Sequence, residues 1–296
     1  MNLRFASVSV LLLGLALLLA APRAAHAAQS YDNCTGFITS VPTVITTQGT
    51  WCLKQDLATA IASGQAITIS TNNVTIDCNN FKLGGLAAGS GTFAVGILAV
   101  DRFNETIRNC NIRGFEYGVL LTNSNSSSGG GHVIEDNRFD GNTFVGLRVE
   151  GDGSVIQRNR VTDTGGTTTA ANANAEAIET WYAVDVMDNT VSGVVATGSS
   201  TGNAFGIKAV SNINGSISGN RIRGLAKVGT ATVFGIYASV SDRVFIHDND
   251  LAGDGSSGSG PVVCSDSATS VRNNTFSRFS GDMAGCNDDG GNVTHH

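Results

Sequence analysis

The stretch Ile156-Gln157-Arg158-Asn159-Arg160-Val161 decides the fold, because its pattern returns as Val186-Met187-Asp188-Asn189-Thr190-Val191. In both, a β-branched residue stands three before an Asn and an apolar residue two after it. The same triplet reads Ile76–Asn79–Phe81, Ile134–Asn137–Phe139, Ile217–Asn220–Ile222, Ile246–Asn249–Leu251 and Val271–Asn274–Phe276. In Ile107–Cys110–Ile112 a Cys fills the Asn slot. Successive slots lie 31, 27, 22, 30, 31, 29 and 25 residues apart. Repeats at such intervals signify stacked coils rather than a globular core.

A second signature lies upstream of each Asn: Gly96-Ile97-Leu98-Ala99, Gly118-Val119-Leu120-Leu121, Gly146-Leu147-Arg148-Val149, Ala177-Ile178-Glu179-Thr180, Gly206-Ile207-Lys208-Ala209 and Gly235-Ile236-Tyr237-Ala238, with Pro261-Val262-Val263-Cys264 as a degraded last copy. Its second and fourth residues are mostly apolar and its third varies, which is the alternation of a strand with one buried face. Segments such as Val184-Asp185-Val186 and Val244-Phe245-Ile246 read as a second strand, and a third begins two residues after the Asn. Three short strands closed by turns make one coil of a parallel β-helix, an all-β solenoid of about eight coils. Stacking at about 4.8 Å brings the slot residues Asn79, Cys110, Asn137, Asn159, Asn189, Asn220, Asn249 and Asn274 into one column, an internal Asn ladder. Because Asn tolerates the left-handed backbone, the ladder residues are also expected to turn the corner. Asn73, Asn104, Asn125 and Asn273 head N-x-Ser/Thr sequons, a frequency the repeat itself explains.

Arg4, the apolar run Val10–Ala21 and the small-x-small Ala25-His26-Ala27 read as a signal peptide over residues 1–27, so the chain is expected to be exported, to periplasm or extracellular space. No second stretch of spanning length follows. Loss of Arg4 and Arg23 would take the formal charge from −6 to −8, which argues against a general nucleic-acid partner. Residues 28–70 read as an N-terminal cap and first strands, 71–280 as the helix and 281–296 as a tail. In the cap, Leu57–Ser63 is expected to form a short helical turn and Ala66–Ile69 the first stacked strand. The six Cys suit disulfides in an exported chain. Pairing of neighbours along the stack favours Cys34–Cys52, Cys78–Cys110 and Cys264–Cys286 over the other connectivities.

Asn73-Val74-Thr75-Ile76-Asp77, Asn80-Phe81-Lys82-Leu83-Gly84 and Glu105-Thr106-Ile107-Arg108-Asn109-Cys110-Asn111-Ile112-Arg113-Gly114-Phe115 resemble the opening coils of exported right-handed parallel β-helix repeat proteins of the pectin-lyase-like superfamily. The resemblance covers about residues 50–280 and implies right-handed coils. It is specific for fold and not for activity, since members include polysaccharide lyases, glycoside hydrolases, epimerases and proteins of no known catalysis.

Insertions at Ala87–Thr92, Gly165–Asn174, Ala196–Asn203, Lys227–Thr232 and Gly253–Gly260 fall on one side of the coil, where a binding face is built. The strand beside them presents Arg148, Glu179, Lys208 and Tyr237 in file, with Trp181 and Tyr182 adjacent. This reads as a groove for a polysaccharide or surface glycan. Arg148 would pair a uronate and Trp181 or Tyr182 would stack on a sugar. In a lyase or epimerase, Lys208 or Tyr237 would take the C5 proton and Tyr237 would protonate the leaving oxygen. In a hydrolase, Glu179 needs a second carboxylate, for which Glu150 and Asp185 are nearest in register. The plainer reading is a surface salt-bridge row on a non-catalytic binding or structural protein.

Weaker candidates are His247-Asp248 with Arg272, and two columns of arginines, Arg138–Arg160–Arg221 and Arg113–Arg223. The columns suit sulfated or uronate polymers, or a solubilising edge. Asp152, Asp254, Asp288 and Asp289 offer oxygen ligands for Ca²⁺ without a repeated calcium motif, so no metal or other cofactor is expected. The chain is expected to be a monomer.

Overall fold

The computed structural model describes residues 31–126, 128–196, 202–240 and 243–295. The expected signal peptide lies outside the described residues, as does the middle of the Ala196–Asn203 insertion. The chain divides into two units, Met1–Asp32 and Asn33–His296. Every described strand belongs to the second unit, and among the described residues the only helical piece is the single 3-10 turn Leu86–Ala88. Among the described residues no helix is long and apolar enough to cross a membrane.

Three sheets form a parallel β-helix. Among the described residues the first has 11 strands, from Gly36–Ile38 to Asn287–Asp288; the second has 10, from Leu57–Ala58 to Val293–His295; the third has 9, from Thr43–Ile45 to Gly260–Cys264. Alternation sets what each sheet buries. In the third sheet Ile97, Val119, Leu147, Ile178, Ile207, Ile236 and Val262 pair coil to coil and are buried.

The ladder runs between the first and second sheets. Asn137, Asn159, Asn189, Asn220, Asn249 and Asn274 each donate from Nδ2 to the next Oδ1 at 2.9–3.0 Å, ending on Asn292. Each Oδ1 from Asn159 onward also accepts the backbone N–H of the previous rung. The side chains thereby satisfy buried corner groups that no strand pairs.

The residues of the column do not themselves turn the corner; of the expected ladder residues Asn79 alone has a left-handed backbone, at φ +49°. The left-handed position is the residue before each: Asn109, Asp136, Arg158, Asp188, Asp248 and Asn273 have φ of +53° to +57°, with Gly219 and Gly291 in the other two copies. The division has a physical cause. The residue at positive φ points its side chain outward to solvent, so any residue that tolerates the backbone will serve, while the next must hydrogen-bond inward.

Asn79 departs from the column. Register pairs Ile112 with Leu83, not with Phe81, so this corner is two residues longer than the next. Asn79 donates instead to the Leu53 carbonyl at 3.2 Å. Cys110 occupies its slot, with its N–H donated to Asn137 Oδ1, but its sulfur is bonded to Cys78. The other disulfides are Cys34–Cys52 and Cys264–Cys286.

Both ends extend beyond the expected boundaries. Leu57–Ala58 is a strand rather than a helical turn. Ser63–Ile69 already has Thr43–Ile45 beneath it, so Ala66–Ile69 is not the first stacked strand. In the expected tail, Asn287–Asp288 and Val293–His295 pair with the last coil, and Asn292 adds a rung. Short polar strands of this kind carry no apolar alternation to reveal them.

Candidate functional site

The expected file exists in register. Leu98, Leu120, Arg148, Glu179, Lys208, Tyr237 and Val263 pair successively across the third sheet. It is not an exposed row, however. Glu179 is only 4% accessible, and a second glutamate, Glu176 at 1%, lies beside it.

Strict alternation would turn Glu176 inward with Ile178. The strand instead breaks step at Ala177, where the neighbouring coils carry Gly. A Cβ on Gly118 or Gly146 would stand 2.4 Å from the next coil's carbonyl oxygen. The outward rows are therefore three residues apart at this point. Val145, Glu176, Phe205 and Phe234 form the row before the file, and Glu150, Trp181, Val210 and Ser239 the row after it. The Gly column is the signal by which Glu176 could have been found.

These rows interlock. Lys208 Nζ meets Glu176 Oε1 at 2.8 Å and Glu179 Oε1 at 3.4 Å. Arg148 Nε donates to Glu150 Oε1 at 2.7 Å, and its guanidinium lies 3.6 Å from Glu179 Oε2. Trp181 Nε1 donates to Glu179 Oε1 at 3.0 Å while the Arg148 guanidinium stands 4.9 Å over its ring. Asn174, from an insertion loop, donates to Glu176 Oε1 at 3.1 Å. Three carboxyls thus share two cations. The imbalance falls on Glu176, whose Oε2 is buried without a hydrogen-bond partner. Burial, and then the Glu179 charge, push its pKa up. Burial pulls the Lys208 ammonium down, but Glu176 and Glu179 outweigh it and leave its pKa raised. Burial likewise opposes the charge on Arg148, and Glu179 with Glu150 more than restores it.

Aromatic rings surround the cluster. Phe205 and Phe234 stack at 5.1 Å, Tyr237 lies 5.1 Å from Phe234, and Tyr117 meets Phe144 edge-on at 5.5 Å. Trp181, Phe234, Tyr237, Tyr117 and Phe144 are all half-buried. The insertion loops close one border: Thr168 N–H donates to Ser90 O at 3.0 Å, joining Gly165–Asn174 to Ala87–Thr92.

The remaining candidates fall elsewhere. Tyr182 follows the strand at φ +70°, its N–H on Val210 O, and makes none of the cluster's contacts described above. Asp185 is on the first sheet, where its Oδ1 accepts the Ser216 N–H at 2.8 Å, so it cannot be the partner of Glu179. His247 and Asp248 do meet, at 2.7 Å, because Asp248 sits at the left-handed corner and its side chain swings back. His247 Nε2 also lies 3.4 Å from Ser216 Oγ. The adjacent strand N–H groups of Ser216 and Phe245 are taken by Asp185 and Gly215, so they form no oxyanion cradle. Arg272 lies over the Phe245 ring at 4.5 Å. Asp254 and Asp288 accept backbone N–H groups at their own turns, Asp152 accepts the Ala183 N–H of the next coil, and Asp289 accepts from Ser270 and Asn287.

Residues 95–295 match the family described as right handed beta helix region. No curated protein matches the chain. Similar solved structures include the DFA-IIIase of Arthrobacter chlorophenolicus A6 in complex with GF2, at 12% identity and TM-score 0.46, with 79% of this chain and 61% of that one covered. The Dettilon tailspike protein is 16% identical at TM-score 0.43, covering 86% and 56%. A tailspike mutant of E. coli bacteriophage HK620 in complex with pentasaccharide is 12% identical at TM-score 0.42, covering 84% and 60%. The chain therefore spans about three fifths of the length of these proteins.

Proposed function

The chain belongs to the right-handed β-helix family, and from that premise we propose that it is an exported glycan-binding protein whose third-sheet face takes an extended neutral sugar chain. The observation that carries this is the half-buried ring set of Trp181, Phe234 and Tyr237 over an ionic cluster that holds it rigid. Sugars offer apolar C–H faces to such rings, and rings fixed in advance lose little entropy on binding. Arg148 has its fork engaged by Glu150 and Glu179, so the face has no need of a uronate carboxylate. Lys208 is held protonated between two glutamates, the opposite of what removal of a C5 proton requires. Tyr237 serves as a stacking ring rather than as the acid of a lyase.

A second reading has one specific observation in its favour. Glu176, with its raised pKa, beside Glu179 is the pattern of a proton donor and a carboxylate partner in glycoside hydrolysis. At 1% exposure, Glu176 would reach a glycosidic oxygen only if the ring cover moved.

Calorimetric titration with neutral oligosaccharides distinguishes these readings. Trp181→Ala and Tyr237→Ala should each weaken binding about tenfold, as loss of a stacked ring costs on the order of 1 kcal/mol or more. Glu176→Gln should leave binding intact. Turnover in the native protein that disappears in Glu176→Gln with binding retained would establish the hydrolase. Undiminished binding in both ring variants would remove the proposal.

A further inference from the structure

The second sheet carries a different chemistry. Lys82, Asn111, Arg138 and Arg160 pair in one outward row, and Arg113 stands two residues along its strand from Asn111. Four successive strands thus bring four cations to one face, in a chain whose formal charge is −6. The neutralising groups are few. Asp56 lies 3.1 Å from Lys82, while Asp140 is shared by Arg113 at 3.4 Å and Arg138 at 3.7 Å. Arg160 is exposed and stands directly opposite Arg138, and no ion pair holds it among the described residues. Like charges placed directly opposite on neighbouring strands destabilise a sheet, so the arrangement is one that an added anion would relieve.

Lys82, Arg113 and Arg138 border an open hollow of about 360 Å³, whose lining also includes the amides of Asn80 and Asn111, the carboxylates Asp56 and Asp140, and no aromatic ring; Arg160 stands one strand beyond it. Arg113 and Arg138 keep 39% and 54% of their side-chain surface accessible, although Arg113 Nε itself is buried without a hydrogen-bond partner. The contents of the hollow discriminate among polyanions. With no ring to stack on a base, the main sequence-tolerant contribution to single-stranded nucleic-acid binding is missing. Amides suit sugar hydroxyls. Two guanidiniums side by side suit a sulfate ester, whose three free oxygens can face both forks with one oxygen shared, better than a carboxylate with one pair in all.

We propose that this face of the second sheet is a binding site for a linear sulfated glycan, its sulfates bridging Arg138 and Arg160 and approaching Lys82 and Arg113. The site is on a different sheet from the aromatic platform and stands whether or not that platform binds sugar.

The test uses a heparin-derived oligosaccharide and the same chain after chemical desulfation, which keeps its carboxylates. The sulfated chain should bind, with affinity falling as salt rises. The desulfated chain should bind about tenfold more weakly or less. Arg138→Ala and Arg160→Glu should each lower affinity for the sulfated chain severalfold, and Arg160→Glu should keep a thermal midpoint near the native value, because Arg160 has no ion pair to lose among the described residues. Trp181→Ala should leave this binding unchanged. Equal affinity for the desulfated chain would overturn the sulfate assignment. Displacement of heparin by a lower concentration of oligothymidylate would replace the glycan with a nucleic acid. Native affinity in Arg160→Glu, measured on a folded variant, would overturn the site.

Discussion

Glu105 is fully buried: one carboxylate oxygen accepts the Val74 N–H at 2.9 Å and the other has no partner. Its own N–H donates to Nδ1 of buried His132 at 3.2 Å. Burial pushes Glu105 up to about 7 and His132 down to about 4, so both favour the neutral form. The two act on stability in opposite directions. Unfolded Glu releases its proton near 4.5 and the folded group near 7, so its contribution is full below 4.5 and is lost as pH rises to about 7. The depressed His132 contributes stability that is present above 6.5 and is lost as pH falls through about 4. Glu105→Gln removes only the first effect. Denaturant melts should show the variant gaining about 3 kcal/mol relative to the native protein between about pH 4 and about pH 8. A difference constant across that range would mean that Glu105 ionises normally in the fold.

The ladder acts as an element rather than as separate residues. Asn189 Oδ1 accepts from both the backbone and the amide of Asn159, while its own Nδ2 lies within 3.0 Å of Ile156 O, Met187 O and Asn220 Oδ1. Asn189→Ala leaves buried partners above and below unsatisfied and should cost about 3 kcal/mol in chemical denaturation. Asn292→Ala, at the half-buried end rung, should cost about 1 kcal/mol. Equal costs would show that the rungs do not act through their neighbours. Most of this element was legible beforehand, since a three-residue pattern at coil spacing specifies both the strands and the column. What was not legible follows from backbone geometry. The left-handed corner moves to Asp136, Arg158 and Asp188 because an outward side chain there is almost unconstrained in type. Asn292 was invisible because its coil is too short and polar to repeat the apolar pattern. Glu176 was missed because alternation was counted straight through Ala177, where the strand breaks step.

At the scale of the whole unit, the three sheets do different work. The first and second are joined by the ladder, and the second gathers cations over an open hollow. The third gathers aromatic rings over a buried ionic cluster. Cys34–Cys52 and Cys264–Cys286 tie the first and last coils, where a stack has no further neighbour to hold it, and such bonds persist in oxidising compartments. The file from Arg148 to Tyr237 was legible as a row, and its burial was not, because the depth of a row depends on the rings and loops that pack across it. The central claim is that the ring-covered third sheet is where sugar binds. A crystal structure of the protein with a neutral oligosaccharide selected by titration tests it most directly. The account predicts a pyranose face in van der Waals contact with Trp181 or Tyr237, with Lys208 still bound to Glu176 and Glu179. A sugar seated on another sheet, touching none of these rings, would contradict it.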